Sequence, residues 1–189
     1  MVQGQVQGQV QGPVLGRVPA ELAAAVLALA GVRGGDCVLD LLPAAGLAGG
    51  AAAAAGPRGR VVALVGTDSV VGIDSMDSHQ HLPDGIETVT DLGALADESV
   101  AKVLAIDPTA AARSLAPLLV AVRPLLAPGA RVTVASAPNT GMLTEGLPSV
   151  LAACGLVVVH AEGLAVSSLP AGRVALAVGR AAGMAGAAP

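Results

Sequence analysis

The sequence predicts an α/β fold, a doubly wound and mostly parallel sheet with an antiparallel last strand. Three observations predict it. Apolar runs of strand length alternate with alanine- and leucine-rich stretches of helical length through most of the chain. The strand runs are continuous rather than alternating, as in "RVVALV" and "RVTVAS", which marks strands covered on both faces. The last two strand runs are joined by only about ten residues without helical periodicity, which favours an antiparallel return over another crossover.

Each element has its own local reason. Residues 2–18 repeat with a period of four, Val2, Val6, Val10, Val14 and Val18 with glycines between. A glycine in every turn costs about 1 kcal/mol relative to alanine and argues against a helix, so 1–18 reads as a flexible Val/Gln/Gly tail. Pro19–Ala30 reads as a helix, with Pro19 suited to its first turn and Glu21 to its dipole. Cys37–Leu42 reads as a buried strand, Ala44–Ala55 as a helix and Arg60–Val65 as a second strand. Residues 66–85 are polar and irregular. Ile86–Thr90 and Ser99–Ile106 read as strands, Ala110–Leu126 as a helix and Ala130–Ser136 as the next strand after an "APG" turn. Leu143–Ala153 reads as a helix capped by Gly155, followed by strands Leu156–Glu162 and Arg173–Gly179. One domain over 19–182, with tails at 1–18 and 183–189, accounts for the 189 residues.

Composition narrows the function. Hydrophobic residues make up 53% of the chain, which excludes a disordered chain, and no uninterrupted apolar run is long enough to span a bilayer. There is no basic segment followed by an apolar one at the N-terminus, so a cytoplasmic protein without a membrane partner is expected. The net charge is −4 and the ten basic residues are scattered along the sequence, which points away from nucleic acid. Phe, Tyr and Trp are absent, so the core must be built from Ala, Val, Leu and Ile, and no ring is available to stack on a base. Cys37 and Cys154 sit in apolar contexts and read as small buried hydrophobes. Asp74, Asp77, His79, His81 and Asp84 are dense in potential ligands but lie in a loop-like stretch without a distant ligand pair, so a solvated polar loop is expected and no metal. His160 reads as a sheet residue, and Ser136, Ser167 and Ser168 have no positioned base beside them.

Five short pieces, in order, carry a resemblance. They are Gly35-Asp36-Cys37-Val38-Leu39-Asp40, Gly56-Pro57-Arg58-Gly59-Arg60-Val61-Val62, Leu95-Ala96-Asp97-Glu98-Ser99-Val100, Arg123-Pro124-Leu125-Leu126-Ala127-Pro128-Gly129-Ala130 and Leu151-Ala152-Ala153-Cys154-Gly155-Leu156. Together they resemble the class I S-adenosylmethionine (SAM)-dependent methyltransferases, near the ubiquinone/menaquinone-biosynthesis and methyltransferase type 11 branch, over roughly residues 20–180. The resemblance implies a Rossmann-like sheet of seven strands, SAM as cofactor and a small-molecule methyl acceptor. It also implies where SAM would sit. Asp40 matches the acid ending the first strand. The three loop positions that hold glycine in the family are Leu42, Ala44 and Gly46 here, so one glycine of three is kept. Val65 stands where an acid usually holds the ribose hydroxyls, with Asp68 the nearest acid, and Asp91 matches the acid that meets the adenine amine. In the family's "SFDxV", the Phe and Asp are Val100 and Ala101.

Each of these residues also has a structural reading. Asp40 suits a helix cap, Gly46 suits helix–strand packing and Asp91 suits a solvated strand end. No catalytic side chain is assigned, because methyl transfer depends chiefly on proximity and alignment. Two functions follow: a SAM-dependent methyltransferase acting on a small molecule, or a methyltransferase-like scaffold that does not bind SAM and engages a protein partner.

Overall fold

The computed structural model describes residues 19–43, 47–65, 82–107, 112–136, 146–166 and 173–182. A seven-stranded sheet runs through the middle of them in the order β3-β2-β1-β4-β5-β7-β6. The strands are β1 (Cys37–Asp40), β2 (Arg60–Leu64), β3 (Glu87–Val89), β4 (Val100–Asp107), β5 (Leu126–Ser136), β6 (Leu156–Ala165) and β7 (Arg173–Ala181). β1 to β5 pair in parallel, and β7 is antiparallel to both β5 and β6. The predicted fold class is the observed one.

Among the described residues, four α-helices cover the sheet. α1 (Ala20–Ala30) buries Leu22, Val26 and Ala30, one residue per turn on a single side. Together with α2 (Leu47–Ala55) it covers the face that presents Val38, Val61, Leu104, Ile106, Ala135 and Leu176. α3 (Ala112–Val122) and α4 (Gly146–Ala153) cover the other face, where Leu39, Val62, Val103, Val132 and Val134 meet Leu115, Leu118, Leu147 and Leu151. With no aromatic rings, aliphatic side chains fill both layers. Cys154 is buried, its Sγ 3.7 Å from the Ala116 carbonyl, and Cys37 is half-buried; both are free thiols raised by burial, as small hydrophobes would be. Among the described residues no helix is long and apolar enough to cross a membrane.

Several boundaries differ from the sequence expectation, each for a local reason. The helix expected to reach Leu126 stops at Val122; a short 3-10 turn at Arg123–Leu125 carries Pro124, which has no N–H to continue an α-helix. Leu126, expected to end the helix, and Ala127–Gly129, expected as a turn, belong to β5, because Leu126 pairs with Val100 before the register shifts and resumes at Lys102 with Arg131. β6 runs to Ala165 rather than Glu162, and β7 to Ala181, since each supplies the other's ladder. β1 ends at Asp40, although the Leu41 N–H still reaches the Leu104 carbonyl at 2.9 Å. The expected tails at 1–18 and 183–189, and the polar stretch 66–81, lie outside the described residues.

α2 approaches β2 closely at Gly59. A Cβ there would lie 2.6 Å from the Ala55 carbonyl oxygen and 2.9 Å from its carbonyl carbon, backbone atoms that cannot step aside alone. Gly59→Ala is therefore expected to destabilise the protein by about 1–3 kcal/mol. Urea denaturation reads this directly, and an unchanged midpoint would contradict the packing.

Candidate functional site

In an open α/β sheet, ligands bind beyond the carboxyl ends of the strands where the strand order reverses. Here that switch lies between β1 and β4, because the chain passes from β1 to β2 on one side and to β4 on the other. Asp40 is the residue at that point. It ends β1 between Ala63 of β2 and Leu104 of β4, and it is fully buried.

Its side chain shapes the loop that follows. Asp40 Oδ1 accepts a hydrogen bond from the Leu42 N–H at 3.3 Å, a short local bond that turns the chain out of the sheet. Oδ2 is buried and has no partner among the described residues. Burial pushes the carboxyl up to about 7, opposed only by the Leu42 N–H. The apolar surroundings therefore hold the group near the balance between its neutral and charged forms at neutral pH, and a cation placed beside Oδ2 would tip it to the charged form.

The other sequence-predicted residues fall on the same rim to different degrees. Leu42, the first of the former glycine positions, is half-buried and packs against the core on the α3/α4 face. Ala44, Gly46 and Asp68 lie outside the described residues. Val65 follows β2 directly, and its N–H donates to the Val89 carbonyl at 2.8 Å. Asp91 follows β3, and its Oδ1 accepts from the Gly93 N–H at 2.9 Å, capping a short 3-10 turn at Leu92–Ala94. Asp91 is exposed, so the local cap leaves its other oxygen open to solvent. Asp40, Val65 and Asp91 thus mark the carboxyl ends of three adjacent strands.

Ser136 was given no role by the sequence. It ends β5 opposite Asp107, the last residue of β4, and its hydroxyl is buried without a partner among the described residues. The signal was there: a hydrophobic strand, "RVTVAS", that closes on a polar residue at the rim where ligands bind. His160 lies away from this rim on edge strand β6, with Nε2 3.4 Å from Glu162 Oε1. Of the residues considered as metal ligands, Asp84 is exposed before β3 and the others are outside the described residues, among which no set of three metal-ligating side chains gathers. A shallow depression bounded by Ala55, Pro57, Gly59, Val61, Asp84 and Gly85 lies at the amino ends of β2 and β3, remote from Asp40.

The strand order and the reversed β7 define the class I methyltransferase fold. Similar solved structures include TrmN from Thermus thermophilus, 23% identical with a TM-score of 0.57, covering 85% of this chain and 48% of that one. A second is the precorrin-6y C5,15-methyltransferase from Geobacter metallireducens GS-15, 15% identical with a TM-score of 0.64, covering 90% of this chain and 92% of the other. A third is the N-methyltransferase NodS from Bradyrhizobium japonicum WM9 in complex with S-adenosyl-L-homocysteine, 16% identical with a TM-score of 0.56, covering 85% and 86%. This chain spans about half the length of TrmN. No family model matches the sequence, and no curated protein matches it. The likeness to these methyltransferases is one of fold.

The raised Asp40 carboxyl has a thermodynamic consequence. A group whose folded value lies above its ordinary 3.8 binds its proton more tightly in the folded state, so its contribution is full below that value and is lost as pH rises to about 7. The loss amounts to as much as about 4 kcal/mol at about 1.4 kcal/mol per pH unit. Asp40→Asn, which mimics the neutral acid, is expected to match the wild type near pH 4 and exceed it at pH 8. Thermal unfolding of both proteins across that range measures the difference, and parallel curves would refute it.

Proposed function

We propose that this protein is a SAM-dependent methyltransferase of small molecules, with SAM seated over the carboxyl ends of β1, β2 and β3. Asp40 carries the reading. A buried carboxylate at the switch point, with one oxygen lacking a partner among the described residues, is the complement of a cationic ligand group, and SAM bears both an ammonium and a sulfonium. The likeness in fold to methyltransferases, one of them with S-adenosyl-L-homocysteine bound, supports the same reading.

SAM supplies an activated methyl group on sulfur; the chain's own residues do the placing. Asp40 fixes the loop through the Leu42 N–H and offers Oδ2 to the ligand's cation. Leu42 anchors that loop on the core instead of leaving it free. Val65 gives the ribose an apolar neighbour where an acid would hold its hydroxyls, and Asp91 keeps one oxygen open for the adenine amine. In-line transfer to an acceptor needs closeness and alignment more than a dedicated acid or base. The acceptor is a small molecule, as in the ubiquinone/menaquinone branch the sequence resembles.

Val65 favours a second reading. Without an acid at the end of β2, a strong anchor for the ribose is missing, which suits a methyltransferase-like scaffold that does not bind SAM and engages a protein partner. Calorimetric titration with SAM separates the two. Saturable binding in the micromolar range, weakened by Asp40→Ala, is expected for the methyltransferase; no binding to the folded protein rejects it in favour of the scaffold. Val65→Asp is expected to tighten SAM binding about tenfold, the value of one good charged hydrogen bond.

A further inference from the structure

The amino-end rim of the sheet, opposite the Asp40 rim, gathers cations that the sequence keeps far apart. Lys102 of β4 stands directly opposite Arg131 of β5, and Arg131 stands directly opposite Arg180 of β7. All three project to one face. Lys102 alternates with Leu104 and Ile106, Arg131 with Ala135 two pairs on, and Arg180 with Leu176, and those residues belong to the layer under α1 and α2. Two contacts fix the arginines there. Arg131 Nη1 donates to the Leu29 carbonyl of α1 at 3.4 Å. Arg180 lies over Gly129, where a Cβ would sit 3.4 Å from its Nη2.

A fourth cation joins from the chain just beyond α1. The Arg33 backbone N–H donates to Asp36 Oδ2 at 2.8 Å, the same oxygen is 4.0 Å from Lys102 Nζ, and Arg33 is near enough to Lys102 for its charge to act on that lysine. Among the described residues, the one ion pair made by any of these four side chains is that of Lys102 with Asp36. Lys102 is lowered by burial first; Asp36 opposes that, and Arg131 and Arg33 add to it, as their nearness requires.

Like charges directly opposite on neighbouring strands destabilise a sheet. Three in a row, with strands about 4.8 Å apart, span about 10 Å of positive surface on a chain whose net charge is −4. Two of the three are guanidinium forks, which match phosphate oxygens in pairs. From Arg131 to Ser136 the strand climbs five residues, about 16 Å, so this surface is separate from the SAM rim.

We propose that Arg33, Lys102, Arg131 and Arg180 form a binding site for a small polyphosphate, such as the phosphate chain of a nucleoside polyphosphate. The site does not depend on the methyltransferase reading. Its test is calorimetric titration of the full chain with inorganic tripolyphosphate at low salt. Saturable binding is expected, weakened about tenfold or more in the Arg33→Gln/Arg180→Gln double variant and unchanged in Asp40→Asn. Both arginines are exposed, so the double variant is expected to keep its fold, which circular dichroism checks. Added salt is expected to weaken binding, as for any exposed charge pairing. Absence of saturable binding, or wild-type affinity in the folded double variant, overturns the proposal. A single-stranded RNA oligonucleotide that binds through the same residues more tightly than tripolyphosphate also overturns it, assigning the surface to a nucleic-acid backbone.

Discussion

The pairing of β1 with β2 on one side and β4 on the other is the constraint on which the rest of the molecule depends. β1 is four residues long, and three of them are buried. Its backbone groups have no water to turn to, so their ladder bonds must be made by the two neighbours, which locks three strands into one register. Val38 and Leu39 point to opposite faces and so tie both helical layers to the same strand. The strand's last residue is Asp40, in an apolar interior at the point where the sheet divides. The candidate site therefore comes from the sheet's own geometry and does not have to be assembled by loops.

The two rims of the sheet differ in electrostatic character. At the carboxyl rim Asp40 is buried and raised to about 7, so that a cation beside it would be favoured. At the amino rim Lys102, Arg131 and Arg180 stand side by side with one carboxylate near them, so that rim favours an anion. Other ionic contacts on the amino side are neutralised within the fold: Arg60 meets Glu87 with two bonds at 2.6 and 2.7 Å, joining β2 to edge strand β3. Arg60 has a carboxylate of its own, whereas in the row only Lys102 has one within 4.0 Å among the described residues, and that contrast is what makes the row informative. α1 reaches the amino rim, where its Leu29 carbonyl receives Arg131, and its buried face lies in the layer over β4 and β5.

Much of the fold was legible in the sequence because burial on both faces writes continuous apolar runs, and because glycine and proline punctuate them. "CVLD", "RVVAL" and "RVTVAS" became β1, β2 and most of β5 for that reason. What was illegible was pairing. Ala127–Gly129 looks like a turn and is strand, because Val100 pairs with Leu126 just before it. Leu42 looks like an obstacle in a cofactor loop, but it packs against the core. Asp91 was legible as a strand-end acid; its bond to the Gly93 N–H depends on the chain turning there into a 3-10 helix.

The sequence alone determined the layered α/β architecture and the reversal of the last strand. These follow from local pattern, since hydrophobic periodicity and short connections limit which strands can be neighbours. The place of Asp40 at the end of the first strand came from the family resemblance, because the apolar run itself continues to Leu42. Only the tertiary structure decided the electrostatics: that Asp40 keeps an oxygen without a partner among the described residues, that Ser136 is buried, and that Arg33, Lys102, Arg131 and Arg180 share one rim. Charge and burial depend on distances in space, and residues 102, 131 and 180 become neighbours only when the sheet sets their register.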